Sequence, residues 1–157
     1  MRDILLAMSK LNLPFILILV VQGTLGCPND WIQFEESCYV FLDESGIPWT
    51  SAKVMCEALG GSMLEVTSSE ENDFVKSHTN ENVWLGLNDM VREGQWVWVS
   101  THEQAVYTNW APGQPDDSHS HESGQDCAYL EGSTGHWDDH WCEITAGWSM
   151  SVVCETK

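Results

Sequence analysis

Three short runs in the C-terminal half of the chain carry oxygen side chains of the kind a hard cation needs: Gln114-Pro115-Asp116, Gln125-Asp126-Cys127 and Trp137-Asp138-Asp139. Ca²⁺ takes about six to eight oxygen ligands from carboxylates, amide carbonyls and backbone. The side chains of Gln114, Asp116, Gln125, Asp138 and Asp139, with the carbonyl of Asp139, approach that number and leave one or two positions open. An open position flanked by acids and amides can accept a vicinal diol, which is what a sugar offers.

Such donors need a rigid frame, and the chain has the marks of an extracellular one. Met1 to Lys10 carries Arg2 and Lys10, and Leu11 to Val21 is an apolar run too short for the roughly 20 residues that span a bilayer. Residues 1–26 read as a signal peptide. Thr24 and Gly26 are small residues at the right offsets for cleavage before Cys27, with cleavage after Gly23 the alternative. Residues 27–157 then form one domain, large enough for a single core. They keep 4 basic and 23 acidic groups, a formal charge of −19. That excludes nucleic acid and anionic lipid surfaces as partners and favours cations, a mineral face among them.

Six cysteines in a secreted domain suggest three disulfides with fifteen formal connectivities. Local pairing is easy for Cys27 with Cys38 and for Cys127 with Cys142, which leaves Cys56 for Cys154. With every thiol used internally, any homo-oligomer is expected to be non-covalent. Ala52, Met55, Cys56 and Leu59 share a helical face over residues 50–59, ended by Gly60-Gly61. Ser68 and Glu71 predict a capping box for a second helix to about His78, and strands fit residues 39–42, 83–87, 95–99, 128–130 and 151–154. Between Thr101 and Asp126 nothing regular is indicated. A connector that long is functional or disordered, and Trp110 within it favours function.

Cys27-Pro28-Asn29-Asp30-Trp31, Cys38-Tyr39, Trp84-Leu85-Gly86-Leu87-Asn88-Asp89, Glu93-Gly94, Asn109-Trp110 and Cys154-Glu155 resemble, in order and spacing, the C-type lectin-like domain. The resemblance spans residues 27–157. It implies an α+β fold with two helices, two small antiparallel sheets, a long calcium-binding loop and the three disulfides above. It also implies a principal Ca²⁺ and sugar site at Gln114, Asp116, Gln125, Asp138 and Asp139, with a typically cis bond before Pro115, and an auxiliary Ca²⁺ site at Asp89, Glu93, Asp117 and Asp126. Glu65, Glu71 and Glu155 are a weaker third group of acids.

Two positions depart from the family pattern. Position 125 is usually Glu and position 138 usually Asn, so Gln125 and Asp138 exchange an acid for an amide and an amide for an acid, and three carboxylates still face the cation. We read this as a compensated swap; loss of the ion is the competing reading. Gln114-Pro115-Asp116 resembles the galactose-type motif, yet the Trp such sites carry two residues after the Asp is here Ser118. The order amide, acid, amide, acid at 114, 116, 125 and 138 is the mannose-type alternation inverted, so both sugar classes stay open. His119, His121, His136 and His140 read as surface residues flanking the site in preference to a zinc centre. Trp84, Trp96, Trp98, Trp110 and Trp137 read as core. No nucleophile elbow or HExxH motif is present, so no enzymatic activity is expected. Three functional classes follow: a secreted calcium-dependent lectin of innate recognition, an acidic mineral-associated matrix protein, and a lectin-like domain that binds a protein partner.

Overall fold

The structure is a computed structural model that describes residues 26–118, 124–143 and 148–157. The signal-peptide expectation and His119 and His121 therefore lie outside the described residues, Gly26 excepted. The chain forms, in order, β1 (Ile32–Phe34), β2 (Ser37–Ser45), α1 (Trp49–Ala58), β3 (Ser62–Met63), α2 (Ser69–His78), β4 (Asn82–Asn88), β5 (Val97–Trp98), β6 (Cys127–Leu130), β7 (Trp137–His140) and β8 (Met150–Thr156). Two antiparallel groups are present. One pairs β1 with β2, and β2 and β3 with β8; the other pairs β5 and β6 with β4, and β6 with β7. A short parallel pairing joins them, Asn82 with Met150 and Val83 with Ser151.

Both helices lie within a residue of their expected bounds, with local differences. In α1 the buried residues are Trp49, Ala52 and Cys56, while Leu59 is half exposed, because the helix ends one residue before it. In α2 the Ser68 hydroxyl accepts the Glu71 N–H at 3.1 Å. The Glu71 carboxylate does not close the box on Ser68. It accepts the N–H and hydroxyl of Thr67 and the hydroxyl of Tyr39, tying the helix start to β2. The disulfides are Cys27–Cys38, Cys56–Cys154 and Cys127–Cys142. The second closes a span of 98 residues and joins α1 to β8.

Alternation along β6 and β7 divides two apolar clusters. Ala128, Leu130 and Trp137 belong to one, with Leu85, Leu87, Trp96 and Trp98. Cys127 and Tyr129 belong to the other, with Trp49, Trp84 and Met150. Trp137 is fully buried and meets the rings of Trp98, Tyr107 and Trp110 edge-on at 6.0, 5.6 and 5.8 Å. Its indole N–H donates to the side-chain oxygen of Asn72 on α2 at 2.7 Å. We expect Trp137→Ala to destabilise the domain by about 3–5 kcal/mol. Val106→Ala, at a residue 99% exposed, should stay within about 0.5 kcal/mol. Urea titration of the two variants measures both, and equal midpoints would contradict this assignment of the core.

Candidate functional site

Trp137 is also the anchor of the long loop. Its N–H donates to the Asn109 carbonyl and its carbonyl accepts the Ala111 N–H, both at 2.8 Å, so residues 109–111 run beside β7 as an added, irregular edge. Asn109 and Asn72 both donate side-chain N–H groups to the Gly135 carbonyl. Past Ala111 the chain turns, with Gln114 N–H on the Ala111 carbonyl, and the Gln114–Pro115 bond is cis.

The next residues along β7 carry the site. Because side chains alternate on a strand, Asp138 falls on the face of Tyr129, whose hydroxyl donates to it at 3.1 Å. Asp139 falls on the other face, beneath residues 116 and 117. β7 is the last strand of its sheet, so both carboxyls reach the open edge. Asp139 is 1% exposed, and its two carboxylate oxygens accept the N–H groups of Asp116 and Asp117 at 3.0 and 2.7 Å. Gln125 closes the ring: its amide oxygen accepts the Ser118 N–H at 2.7 Å and its amide nitrogen donates to the Asp139 carbonyl at 3.1 Å. Gln114, Asp116, Gln125, Asp138 and Asp139 thus line one pocket of about 250 Å³.

Two features make this pocket short of positive charge. The side-chain oxygen of Gln114 is buried with no hydrogen-bond partner. Burial pushes the Asp138 carboxyl above the usual carboxylate range; the Tyr129 hydrogen bond opposes the shift, and the charges of Asp139 and Asp116 add to it.

Three of the four acids in the second group come together. Asp89, Glu93 and Asp126 each bring an oxygen within 4.8 Å of the others. Asp89 is 2% exposed; one of its oxygens accepts the Gly94 N–H at 2.8 Å and the other is buried without a partner. Its carboxyl is pushed up to about 7, chiefly by burial and further by Glu93 and Asp126. The Asp126 carboxyl is raised by burial and by the charge of Asp117. Asp117 stands between the two groups, its carboxylate accepting the Gln125 N–H at 2.9 Å. Gly124 lies so close that a Cβ there would sit 2.6 Å from that carboxylate.

Residues 45–156 match the Lectin C-type domain. The chain belongs to this family. Among curated proteins it is 40% identical over 139 residues to asialoglycoprotein receptor 2 of Mus musculus, an alignment covering 86% of this chain and 44% of the receptor. The chain thus corresponds to less than half of that relative's length. Among solved structures it resembles the mouse scavenger receptor C-type lectin carbohydrate-recognition domain (TM-score 0.75, 35% identity, 84% of this chain and 98% of that one). It also resembles the cow C-type carbohydrate-recognition domain of CD23 in the presence of GlcNAc2Man3 oligosaccharide (TM-score 0.73, 32% identity, 83% and 95%). The family is one of carbohydrate-binding non-enzymes whose domains generally bind Ca²⁺. The residues present suit such a cation, since two buried oxygens without partners and three raised carboxyls each call for positive charge.

Three residues that line the principal pocket carry no sequence signal for it: Tyr129, Trp141 and Trp148. His140, expected to flank the site, lines it as well. His140 is a correction to the expectation of surface histidines, because it is 2% exposed beneath the ring of Trp148. His136 is exposed as expected. Glu65, Glu71 and Glu155 form a separate buried group, in which Glu155 accepts from the Ser37 hydroxyl and the Glu65 N–H.

The raised Asp89 carboxyl fixes the sign of a pH effect. A folded-state value of about 7 against an ordinary 3.8 means that the proton stabilises the fold fully below about pH 4 and that this stabilisation is lost as pH rises through about 7. In chelator, the melting temperature should therefore fall between pH 4 and pH 7.5, and Asp89→Asn, which cannot ionise, should flatten the fall. The same slope in both proteins would rule out Asp89 as its source.

Proposed function

We propose that this chain is a secreted calcium-dependent lectin, with residues 1–26 its leader and residues 27–157 its carbohydrate-recognition domain, that binds galactose- or mannose-type glycans in innate recognition. The observation that carries this reading is the pair of buried, unpartnered oxygens of Gln114 and Asp89, each set among carboxyls that burial and like charge disfavour. Gln114, Asp116, Gln125, Asp138 and Asp139 would hold the principal ion; Asp89, Glu93, Asp117 and Asp126 would hold the auxiliary one. A bound Ca²⁺ supplies a Lewis-acidic centre on which two neighbouring sugar hydroxyls can replace water.

The protein residues do the rest. Carboxylates accept the sugar hydroxyl protons and amides donate to the hydroxyl oxygens. Asp139 holds residues 116 and 117 through their N–H groups, keeping the loop in register with β7. The absence of any helix among the described residues long and apolar enough to cross a membrane is compatible with this reading, as is a non-covalent assembly, since all six cysteines are paired. Several weak sites on one assembly would supply avidity. The formal charge of −19 over residues 27–157 is the observation that favours mineral association as a second reading.

Calcium that binds only the folded state must raise the melting temperature with concentration, and protons compete for the same oxygens as pH falls. A glycan array run in calcium and in chelator tests the function. Melting curves that coincide in millimolar calcium and in chelator, with no calcium-dependent glycan signal, would eliminate it. Retention on calcium carbonate that sugars do not compete would favour the mineral reading.

The swapped pair gives a separate test. Gln125 acts as both acceptor and donor, which a carboxylate at that position cannot do toward the Asp139 carbonyl. Asp138→Asn alone should weaken calcium markedly. Gln125→Glu alone should crowd a fourth carboxylate into the ring. The double variant should recover calcium affinity and shift preference toward galactose, read as a double-mutant cycle. Normal calcium affinity with an unchanged galactose-to-mannose ratio in the double variant would show that the two positions do not compensate.

A further inference from the structure

Trp148 lines the principal pocket with Asp138 and His140 and is 42% exposed. Its ring is held. The His140 imidazole lies against it with centroids 4.6 Å apart, and the Tyr129 ring meets it edge-on at 6.0 Å. Both supports are buried, at 2% and 4% exposure, and both rest on Trp84 in the core at 6.2 and 6.5 Å. Tyr129 is also the donor to Asp138, so the indole ring and the carboxylate are positioned by one buried phenol. A large apolar surface left open at a polar pocket, on a rigid mount, is the arrangement of a preorganised contact.

We propose that Trp148 is the aromatic platform of the sugar site, packing against the apolar face of a galactose-type pyranoside whose hydroxyls face Gln114, Asp116 and Asp138. This rests on the carbohydrate-binding reading above. In galactose-type rings the axial 4-hydroxyl leaves the C–H groups at C3, C4 and C5 contiguous on one face; in mannose-type rings the equatorial 4-hydroxyl breaks that patch. The electron-rich face of an indole attracts polarised C–H groups and buries a large apolar area when it covers them. Ser118, which also lines the pocket, has no ring to offer. Trp148 supplies one from the segment that enters β8.

Wild type, Trp148→Ala, Trp148→Phe and Trp141→Ala are compared on galactose and mannose resins in calcium, with melting followed in calcium and in chelator. Trp148→Ala should weaken galactose binding about tenfold, change mannose binding far less and keep the calcium-induced rise in melting temperature. Trp148→Phe should restore most of the galactose affinity. Wild type retained on galactose, with Trp148→Ala retained equally well, overturns this inference and leaves the lectin reading standing. So does wild type retained on mannose alone, a Trp141→Ala variant that reproduces the loss when Trp148→Ala does not, or a Trp148→Ala variant that loses the calcium response. Wild type retained on neither resin, with no calcium response, overturns the lectin reading and the platform with it.

Discussion

The site depends on the burial of Trp137. One residue joins four parts of the molecule: its indole reaches the apolar cluster through Trp98, helix α2 through Asn72 and the long loop through Trp110, and its backbone holds residues 109–111 and belongs to β7. A buried tryptophan contributes several kcal/mol of apolar transfer and packing. That energy is available to hold an irregular loop whose own backbone makes few regular pairings. Asp138 and Asp139 follow directly in sequence, so their placement is inherited from the anchor and not from loop propensity.

The acids beyond the anchor work against the fold that positions them. Asp89, Asp126 and Asp138 are all raised by burial first and by like charge second, and basic groups are scarce in residues 27–157. The backbone N–H groups of Asp116 and Asp117 donate to both oxygens of the neighbouring Asp139 carboxylate. Those bonds satisfy the oxygens individually without removing the charge. Such an arrangement is short of positive charge.

A second structural line runs from the other cluster to the surface. Trp84 supports Tyr129 and His140, and these support Trp148. The sheet formed by β6 and β7 separates this line from the Trp137 anchor, so the pocket is held from both faces of one strand edge. Its carboxylate edge and its aromatic wall are therefore set by different parts of the core.

The runs of acids and amides, the helix limits and the family are legible in the residues alone. Those signals are local: acids and amides beside Pro115, Cys127 and Trp137, a Ser68 cap, a Gly60-Gly61 stop, and cysteine spacings that match short turns. The β7 strand escaped a sequence reading because Asp138, Asp139 and His140 have poor strand preference, and only pairing with β6 and the buried Trp137 makes them a strand. Tertiary structure alone decided which partners the donors hold. Asp138 and Asp139 are adjacent in the chain yet face opposite sides of β7. Asp89, Glu93 and Asp126 meet across a separation of dozens of residues. His140 carries the composition of a surface residue and is buried under Trp148, because the alternation of a strand, the register with β6 and the path of the chain into β8 bring those rings together. Periodicity records which face a residue takes; it does not record what will cover that face.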